Sequence, residues 1–260
     1  MLANKRVLVT GGSRGIGAEI ARTLASQGAQ IVINYHTAGR PAQDLVQEIN
    51  KSWPHCNAAA IQADISDNTQ IEVLFQKTLT HLGGVDILIN NAAMESTVPA
   101  VDLTEEQWNK VIDTNVKGAF FCAQHAAKTM IAQAQGGVIL NVSSIHETIP
   151  RLGLSHYCIS KAGLTMMTKS LALEWAEHGI RVLGVAPGAI ETEMNRDEIT
   201  HFGRDKFESW IPLSRLGQVE DVANAIAFLI SDNAGYISGD TLTIDGGYLL
   251  NLVRYDPREQ

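Results

Sequence analysis

Tyr157 and Lys161 stand four residues apart, so in a helix both side chains leave one face. An ammonium beside a phenol favours the phenolate and draws its pKa down from about 10. Such a tyrosine exchanges a proton with an alcohol or carbonyl oxygen near neutral pH, which is general acid–base chemistry. Ser144 lies thirteen residues upstream, just past the apolar run Val138-Ile139-Leu140-Asn141-Val142. That run reads as a buried strand, and strand ends in an open α/β sheet are where side chains enter a ligand crevice. A hydroxyl there can hydrogen-bond the oxygen whose charge changes in the reaction. Y-x-x-x-K alone is a common accident of sequence, so the surrounding elements decide its meaning.

Those elements begin with Arg6-Val7-Leu8-Val9-Thr10, a short strand that breaks into Gly11-Gly12-Ser13-Arg14-Gly15-Ile16-Gly17. A helical pattern follows through Ile20, Ala21 and Leu24 to Gly28. In a strand–turn–helix context, glycines let backbone N–H groups approach a pyrophosphate, and the helix N-terminus favours its charge. Gly11, Ser13, Arg14, Gly15, Ile16 and Gly17 are therefore candidate dinucleotide-binding residues. A second strand, Gln30–Tyr35, ends in Asn34-Tyr35-His36, where an NAD site usually carries an acid for the ribose 2′-OH. The next carboxylate is Asp44. Nothing there repels a 2′-phosphate, and Arg14 can pair with one. The expectation is NADP(H) in preference, with NAD(H) possible because Asn34 can also hydrogen-bond a bare hydroxyl.

Strands 58–63, 85–89, 138–142, 181–185 and 241–244 alternate with helical patterns, giving seven in all. Right-handed crossovers then build a parallel sheet covered on both faces. Asp64-Ile65 and Asn91-Ala92-Ala93 fall at strand ends on the edge of the glycine loop, where they can touch cofactor or fix loops. Pro187-Gly188 shape a turn at the same edge, placing Ile190 and Thr192 against a nicotinamide. A lid is expected at about 190–217, where Phe202, Phe207, Trp210 and Pro212 mix with polar residues. A long helix opens at Thr104, an N-cap, and carries Asn115 at its middle. That amide can hold a water beside Lys161 or bond a backbone carbonyl at a kink.

Composition excludes several classes. The net charge of −8 argues against a nucleic-acid partner and offers no basic stripe for a membrane. No run of about 18 uninterrupted apolar residues spans a bilayer, and the N-terminal apolar run is too short for a secretory signal. Three cysteines, Cys56, Cys122 and Cys158, lack metal-ligand spacing. A reducing, cytoplasmic setting without a metal is expected, and Cys158 reads as packing beside Tyr157. No linker or internal repeat divides residues 1–260.

Together these residues resemble the short-chain dehydrogenase/reductase family. Thr10-Gly-x-x-x-Gly-Ile-Gly17, Asn90-Asn91-Ala92-Ala93, Asn115, Ser144, Tyr157-x-x-x-Lys161 and Pro187-Gly188 stand in its order and spacing across essentially the whole chain. Ala93 departs from its usual glycine. The resemblance implies a Rossmann-type, doubly wound seven-stranded parallel sheet in a single domain. It also implies a tetrad: Tyr157 as acid–base, Lys161 lowering its pKa and binding the nicotinamide ribose, Ser144 orienting the substrate oxygen, and Asn115 supporting a relay water. It implies a homotetramer built through the two long helices flanking the catalytic strand.

Within the family the chain is most similar to bacterial glucose 1-dehydrogenases, in Met94-Glu95, Trp108–Asn115, Ser144-Ile145-His146-Glu147 and Gly188-Ala189-Ile190. That likeness places Glu95, His146 and Asn195 where the group contacts its sugar, alongside Ser144 and Tyr157. A polyol needs several fixed donors and acceptors, whereas an acyl chain needs an apolar slot. Arg151-Leu152 and the tail 251–260 depart from that group. The rival enzyme is a 3-oxoacyl-thioester or other carbonyl reductase; the rival of another class is a non-catalytic nucleotide-binding regulatory protein.

Overall fold

Along β1 (Arg6–Val9), Val7 and Val9 enter one hydrophobic core and Leu8, between them, enters the other. Strand side chains alternate between faces, so a strand covered on both sides is apolar throughout. Hence the near-continuous Val, Ile and Leu of the predicted strands. The computed structural model describes residues 2–193 and 195–250.

After β1 come α1 (Gly15–Ser26), β2 (Gln30–Tyr35), α2 (Gly39–Ser52), β3 (Ala59–Gln62), α3 (Asn68–Leu82) and β4 (Ile87–Asn90). The second half continues with α4 (Glu105–Ile112), α5 (Ala119–Gln133), β5 (Gly137–Val142), α6 (Ser155–Trp175) and β6 (Ile180–Pro187). Two short helices, α7 (Arg196–Phe202) and α8 (Arg204–Glu208), precede α9 (Val219–Leu229) and β7 (Thr241–Ile244). The strands form one sheet in the order β3-β2-β1-β4-β5-β6-β7, every pair parallel. One core lies under α1, α2 and α9; the other lies under α3, α5 and α6. The chain is thus the seven-stranded Rossmann-type α/β fold that the pattern predicts. Strand order reverses between β1 and β4, which brings the glycine loop beside the segment after Asn90 at the usual ligand crevice.

The expected long helix at Thr104 is interrupted. Thr104 caps α4 reciprocally with Gln107: its Oγ1 accepts from the Gln107 N–H, and Gln107 Oε1 accepts from the Thr104 N–H. A wide π-turn, Asp113–Gly118, then separates α4 from α5. Wide turns of this kind disturb the regular helical ladder and gather at functional sites. Gly118 passes so close to the Ile65 carbonyl that a Cβ there would stand 2.4 Å from the oxygen. The helix meets the end of β3 at the point where it widens.

Residues 190–217 carry a small core of their own, in which Phe207, Ile211 and Leu216 are buried together. Trp210 packs on Phe207 and Phe202, with ring centroids 5.2 and 5.4 Å away. Met194 and the tail 251–260 lie outside the described residues.

Candidate active site

Ser144, Tyr157, Lys161 and Asn115 come together beneath the C-terminal end of β5, all of them buried. Three elements position them. Ser144 is the extended residue that opens a 3-10 turn, Ile145–Glu147; its Oγ accepts from the His146 N–H at 3.2 Å and also hydrogen-bonds Tyr157. Tyr157 and Lys161 occupy successive turns of α6 on its inner face. Lys161 Nζ donates to the Val142 carbonyl at 2.9 Å and lies 5.5 Å from the centre of the Tyr157 ring.

The electrostatics differ from the sequence expectation. Burial pushes the Tyr157 phenol well above its usual range, the Glu95 carboxylate adds to that, and only the Ser144 hydrogen bond opposes it. The Lys161 ammonium bonds the Val142 carbonyl and stands 5.5 Å from the ring centre, and burial outweighs what it can offer the phenolate. Burial likewise pushes Lys161 down to about 8, against the pull of Glu95 and Glu147. Desolvation disfavours the charged form of both groups, so the pair waits neutral phenol beside a readily deprotonated amine.

Asn115 resolves its two alternatives toward the backbone. Its Oδ1 accepts from the Met94 N–H and its Nδ2 donates to the Met94 carbonyl, both at 2.8 Å. The same Nδ2 donates to Ser160 Oγ at 3.0 Å, and Ser160 donates to the Tyr157 carbonyl at 2.7 Å. The amide ties the segment after β4 to α6, the backbone role of the two expected for it.

On the cofactor side, Gly11 and Gly17 are demanded by packing. A Cβ on Gly11 would stand 2.7 Å from Ala92 Cα, and one on Gly17 would stand 2.4 Å from the Gly11 carbonyl oxygen. Gly15 differs: it has φ +53° and faces only the Thr192 methyl at 3.8 Å. It leaves open space at the start of α1, whose first turn has no side-chain cap and no acid. That arrangement fits an anionic pyrophosphate. Ser13, Ile16, Ala92 and Ala93 are partly exposed around it. Asn91 Nδ2 donates to the carbonyls of Thr10 and Gly11, both at 3.0 Å, fixing the glycine loop.

Four predicted contacts are occupied elsewhere. Asn34 is buried: its Nδ2 donates to the Ala63 carbonyl at 2.9 Å and its Oδ1 accepts from the Gly11 N–H at 3.4 Å. It braces β2, β3 and the glycine loop and cannot also bind a ribose hydroxyl. Tyr35 packs on Gly39, leaving His36 as the exposed residue of that trio. Asn195 closes its own turn, donating to the Ile190 carbonyl at 2.6 Å and accepting from the Thr192 N–H at 3.0 Å and the Thr192 hydroxyl at 3.2 Å. Its carbonyl oxygen and one of its two N–H groups are thus committed to the turn. The Ile190 side chain turns into the core, which leaves only its backbone at the crevice.

The remaining predicted residues sit at the sheet edge. Asp64 Oδ1 accepts from the Ser66 N–H and hydroxyl, its Oδ2 lies 3.7 Å from His36 Nε2, and Ile65 is buried. Pro187 ends β6, and Gly188 approaches Asp245 so closely that a Cβ would stand 2.7 Å from the Asp245 Cβ. Arg14 reaches from the glycine loop to Glu193, 3.6 Å away. Glu95 is half-buried and its charge acts on both Tyr157 and Lys161. The His146 ring meets the Tyr157 ring edge-on at 6.3 Å, and its Nδ1 is 3.1 Å from the Ile149 carbonyl. Among the described residues no cluster of His, Cys, Asp or Glu can hold a metal, and no helix is long and apolar enough to cross a membrane.

Two residues escaped the sequence reading. Glu147 bonds the Thr165 hydroxyl at 2.5 Å and supports the Lys161 charge; Thr165 is one turn beyond Lys161, which is the signal that pointed to it. His156, directly before Tyr157, is wholly buried with its Nε2 2.9 Å from Ser96 Oγ. Nothing in local sequence marks that contact.

The chain is similar to known enzymes along nearly its whole length. A family model described as enoyl-(acyl carrier protein) reductase matches residues 11–249. The chain is 42% identical over 250 residues to 3beta-hydroxysteroid dehydrogenase 1 of Eggerthella lenta, covering 96% of this chain and 95% of that one. It is 38% identical over 251 residues to glucose 1-dehydrogenase 2 of Bacillus subtilis, covering 96% of each. A gluconate 5-dehydrogenase from Burkholderia cenocepacia, solved in complex with NADP and tartrate, superposes with a TM-score of 0.89 at 32% identity, covering 96% of each chain. With a matching family model and relatives at this identity over nearly its full length, the chain belongs to the short-chain dehydrogenase/reductase family, oxidoreductases that bind a nicotinamide cofactor and act on CH–OH or carbonyl groups.

Proposed function

We propose that the protein oxidises a secondary hydroxyl of a polyol, with glucose the first candidate, and prefers NADP(H) to NAD(H). One observation carries the substrate reading: the Glu95 carboxylate acts electrostatically on Tyr157 and the His146 ring meets the Tyr157 ring edge-on, giving an acceptor and an imidazole around a reacting hydroxyl. The hydroxyls flanking the reacting one need such fixed polar partners. The bound nicotinamide supplies the hydride acceptor and, oxidised, a positive charge over the site. Ser144 holds the substrate oxygen, and Tyr157 Oη takes its proton as the phenolate, its own proton having first left to solvent. Lys161, pushed down to about 8, holds or releases a proton behind the ring near neutral pH. Asn115 keeps the Met94 backbone and α6 in register, while Gly11, Ser13, Gly15, Ile16, Gly17, Asp64, Asn91, Pro187 and Thr192 line the cofactor's path. Arg14 and His36 take a 2′-phosphate. Residues 190–217 act as the lid, with Phe207, Ile211 and Leu216 packed together inside it.

Two further features of the reading concern its setting. On α6, Ile159, Met166 and Leu173 recur at seven-residue spacing and are exposed, a stripe that suits helix pairing between copies. Phe228 of α9 and Leu242 of β7 offer a second exposed apolar face, in keeping with a homotetramer. Free, buried Cys56 and Cys122 suit a reducing cytoplasm.

A second reading, a carbonyl reductase for an apolar substrate, draws on the occupied amide of Asn195 and the exposed Met94 and Leu152. A spectrophotometric screen of D-glucose, other polyols, a hydroxysteroid and an acetoacetyl thioester with both cofactors separates the two. The expected result is turnover of D-glucose with NADP+, with its KM raised well above wild type in Glu95→Ala. Turnover of the thioester or steroid that is indifferent to Glu95→Ala overturns the polyol reading. Static light scattering giving a monomer overturns the tetramer.

A further inference from the structure

The short segment Met94-Glu95-Ser96 is fastened to α6 on both sides of Glu95. On one side, Asn115 grips the Met94 N–H and carbonyl and passes through Ser160 to the Tyr157 carbonyl. On the other, Ser96 Oγ lies 2.9 Å from Nε2 of His156, the residue before Tyr157. His156 is 0% exposed, and its Nδ1 has no hydrogen-bond partner. A buried N–H without a partner is rarer than a buried lone pair without one. That imbalance places the ring proton on Nε2, donating to Ser96. A wholly buried imidazole with a single protein bond is costly to keep, and its bond goes to the neighbour of Glu95.

We propose that His156 is a positioning residue that, through Ser96, fixes the Glu95 carboxylate for the hydroxyls flanking the reacting one in a polyol substrate. The inference rests on Glu95 being a substrate contact, as proposed above. Glu95 and the reacting phenol then hang from adjacent positions of one helix turn, so their separation is set by α6. A carboxylate that orients a substrate needs such control, because small misplacements at a site carry large losses in rate. Burial also pushes His156 down, so the ring stays neutral and the clasp does not open through the physiological range.

The test compares two substrates, D-glucose and 2-butanol, with NADP+ as oxidant; 2-butanol has no second hydroxyl for Glu95. Ser96→Ala and His156→Leu are expected to raise KM for D-glucose about tenfold, the worth of one such hydrogen bond to a charge-bearing segment, with kcat little changed and 2-butanol unaffected. His156→Gln, which returns an N–H near the Nε2 position, is expected to restore the D-glucose KM. In a Glu95→Ala background, Ser96→Ala is expected to add nothing. Ser96 lies on a partly exposed loop, so its alanine variant reports even if His156→Leu fails to fold. Equal losses on both alcohols, additivity with Glu95→Ala, or no rescue by His156→Gln each overturn the clasp while leaving Glu95 as a contact. A Glu95→Ala protein with unchanged D-glucose KM, or a wild type that does not oxidise D-glucose, overturns the polyol reading first.

Discussion

The crevice has two ends built on opposite principles. At the β5–α6 end the chemically active groups are buried, and each is held by short bonds to backbone: Lys161 to Val142, Asn115 to Met94, Ser160 to the Tyr157 carbonyl. At the end formed by the glycine loop and residues 190–217 they are exposed and held by ion pairs, Arg14 with Glu193 and Arg204 with Glu191 and Glu208. Burial makes electrostatics strong and shifts pKa values; exposure leaves them weak and screened by salt. The comparison says that perturbing the first end should change rate and stability steeply, and perturbing the second should change cofactor choice gently.

The sharpest way to break it is Tyr157→Phe. Removing the proton-exchanging oxygen is expected to lower kcat by about 10²–10⁴-fold with the fold intact, since the ring and its packing remain. Circular dichroism beside initial rates checks this; a variant with ordinary turnover would remove Tyr157 from the chemistry altogether.

Lys161→Met tests whether burial truly dominates that end. The unfolded chain holds the Lys161 proton up to its ordinary pKa of 10.5, whereas the folded chain loses it near 8. Between those values the unfolded state binds more protons, so the wild type gains stability as pH rises through that window. The gain is on the order of 3 kcal/mol at about 1.4 kcal/mol per unit. Tyr157, held above its usual range, acts oppositely above about 10. Lys161→Met lacks the Lys161 contribution, and its stability relative to wild type is expected to fall from pH 8 to 10. Denaturant midpoints across that range check it; parallel curves would show that Lys161 is not strongly desolvated.

A smaller effect is expected at Asn115→Ala. It leaves the Met94 N–H and carbonyl without their partners and cuts α6 from the segment after β4. The loss is about 2 kcal/mol, less than two fully buried groups because Met94 is partly exposed. Thermal unfolding checks it, and Asn115→Asp, which keeps the acceptor alone, should fall between.

Why was one end more legible than the other? Tyr157, Lys161 and Ser144 share one strand–helix unit, so spacing alone brought them together, and strand alternation gave the sheet. The glycine pattern marked the phosphate loop, although packing against Ala92 and Asn91 demands Gly11 and Gly17 while Gly15 leaves the opening. What local pattern could not show was where amides point. Asn34, Asn115 and Asn195 all sit at plausible ligand positions, yet each closes backbone groups, Asn34 and Asn115 those of distant segments and Asn195 those of its own turn. The His156–Ser96 contact spans sixty residues, and the direction of the Tyr157 shift depends on burial that no spacing reveals. Asparagine orientation and desolvation are tertiary properties.

The gentlest prediction concerns Arg14 and Glu193, and it probes the exposed end directly. Arg14→Ala is expected to lower the ratio of kcat/KM for NADP+ to that for NAD+ by about tenfold, the worth of one guanidinium–phosphate pairing. Glu193→Gln acts the other way. The pair is 3.6 Å apart with side chains 71% and 63% exposed, so it is weak in itself and its loss should leave the melting temperature unchanged. Freed from Glu193, and without that carboxylate nearby, Arg14 meets a 2′-phosphate more readily. The KM for NADP+ is expected to fall a few-fold at low ionic strength, within the range of an exposed pair, and the KM for NAD+ to stay put. Near 1 M salt the Debye length is about 3 Å and the difference should vanish. An effect that persisted in high salt would mean that Glu193 touches the cofactor itself, and the contrast between a buried end and a screened end would no longer hold.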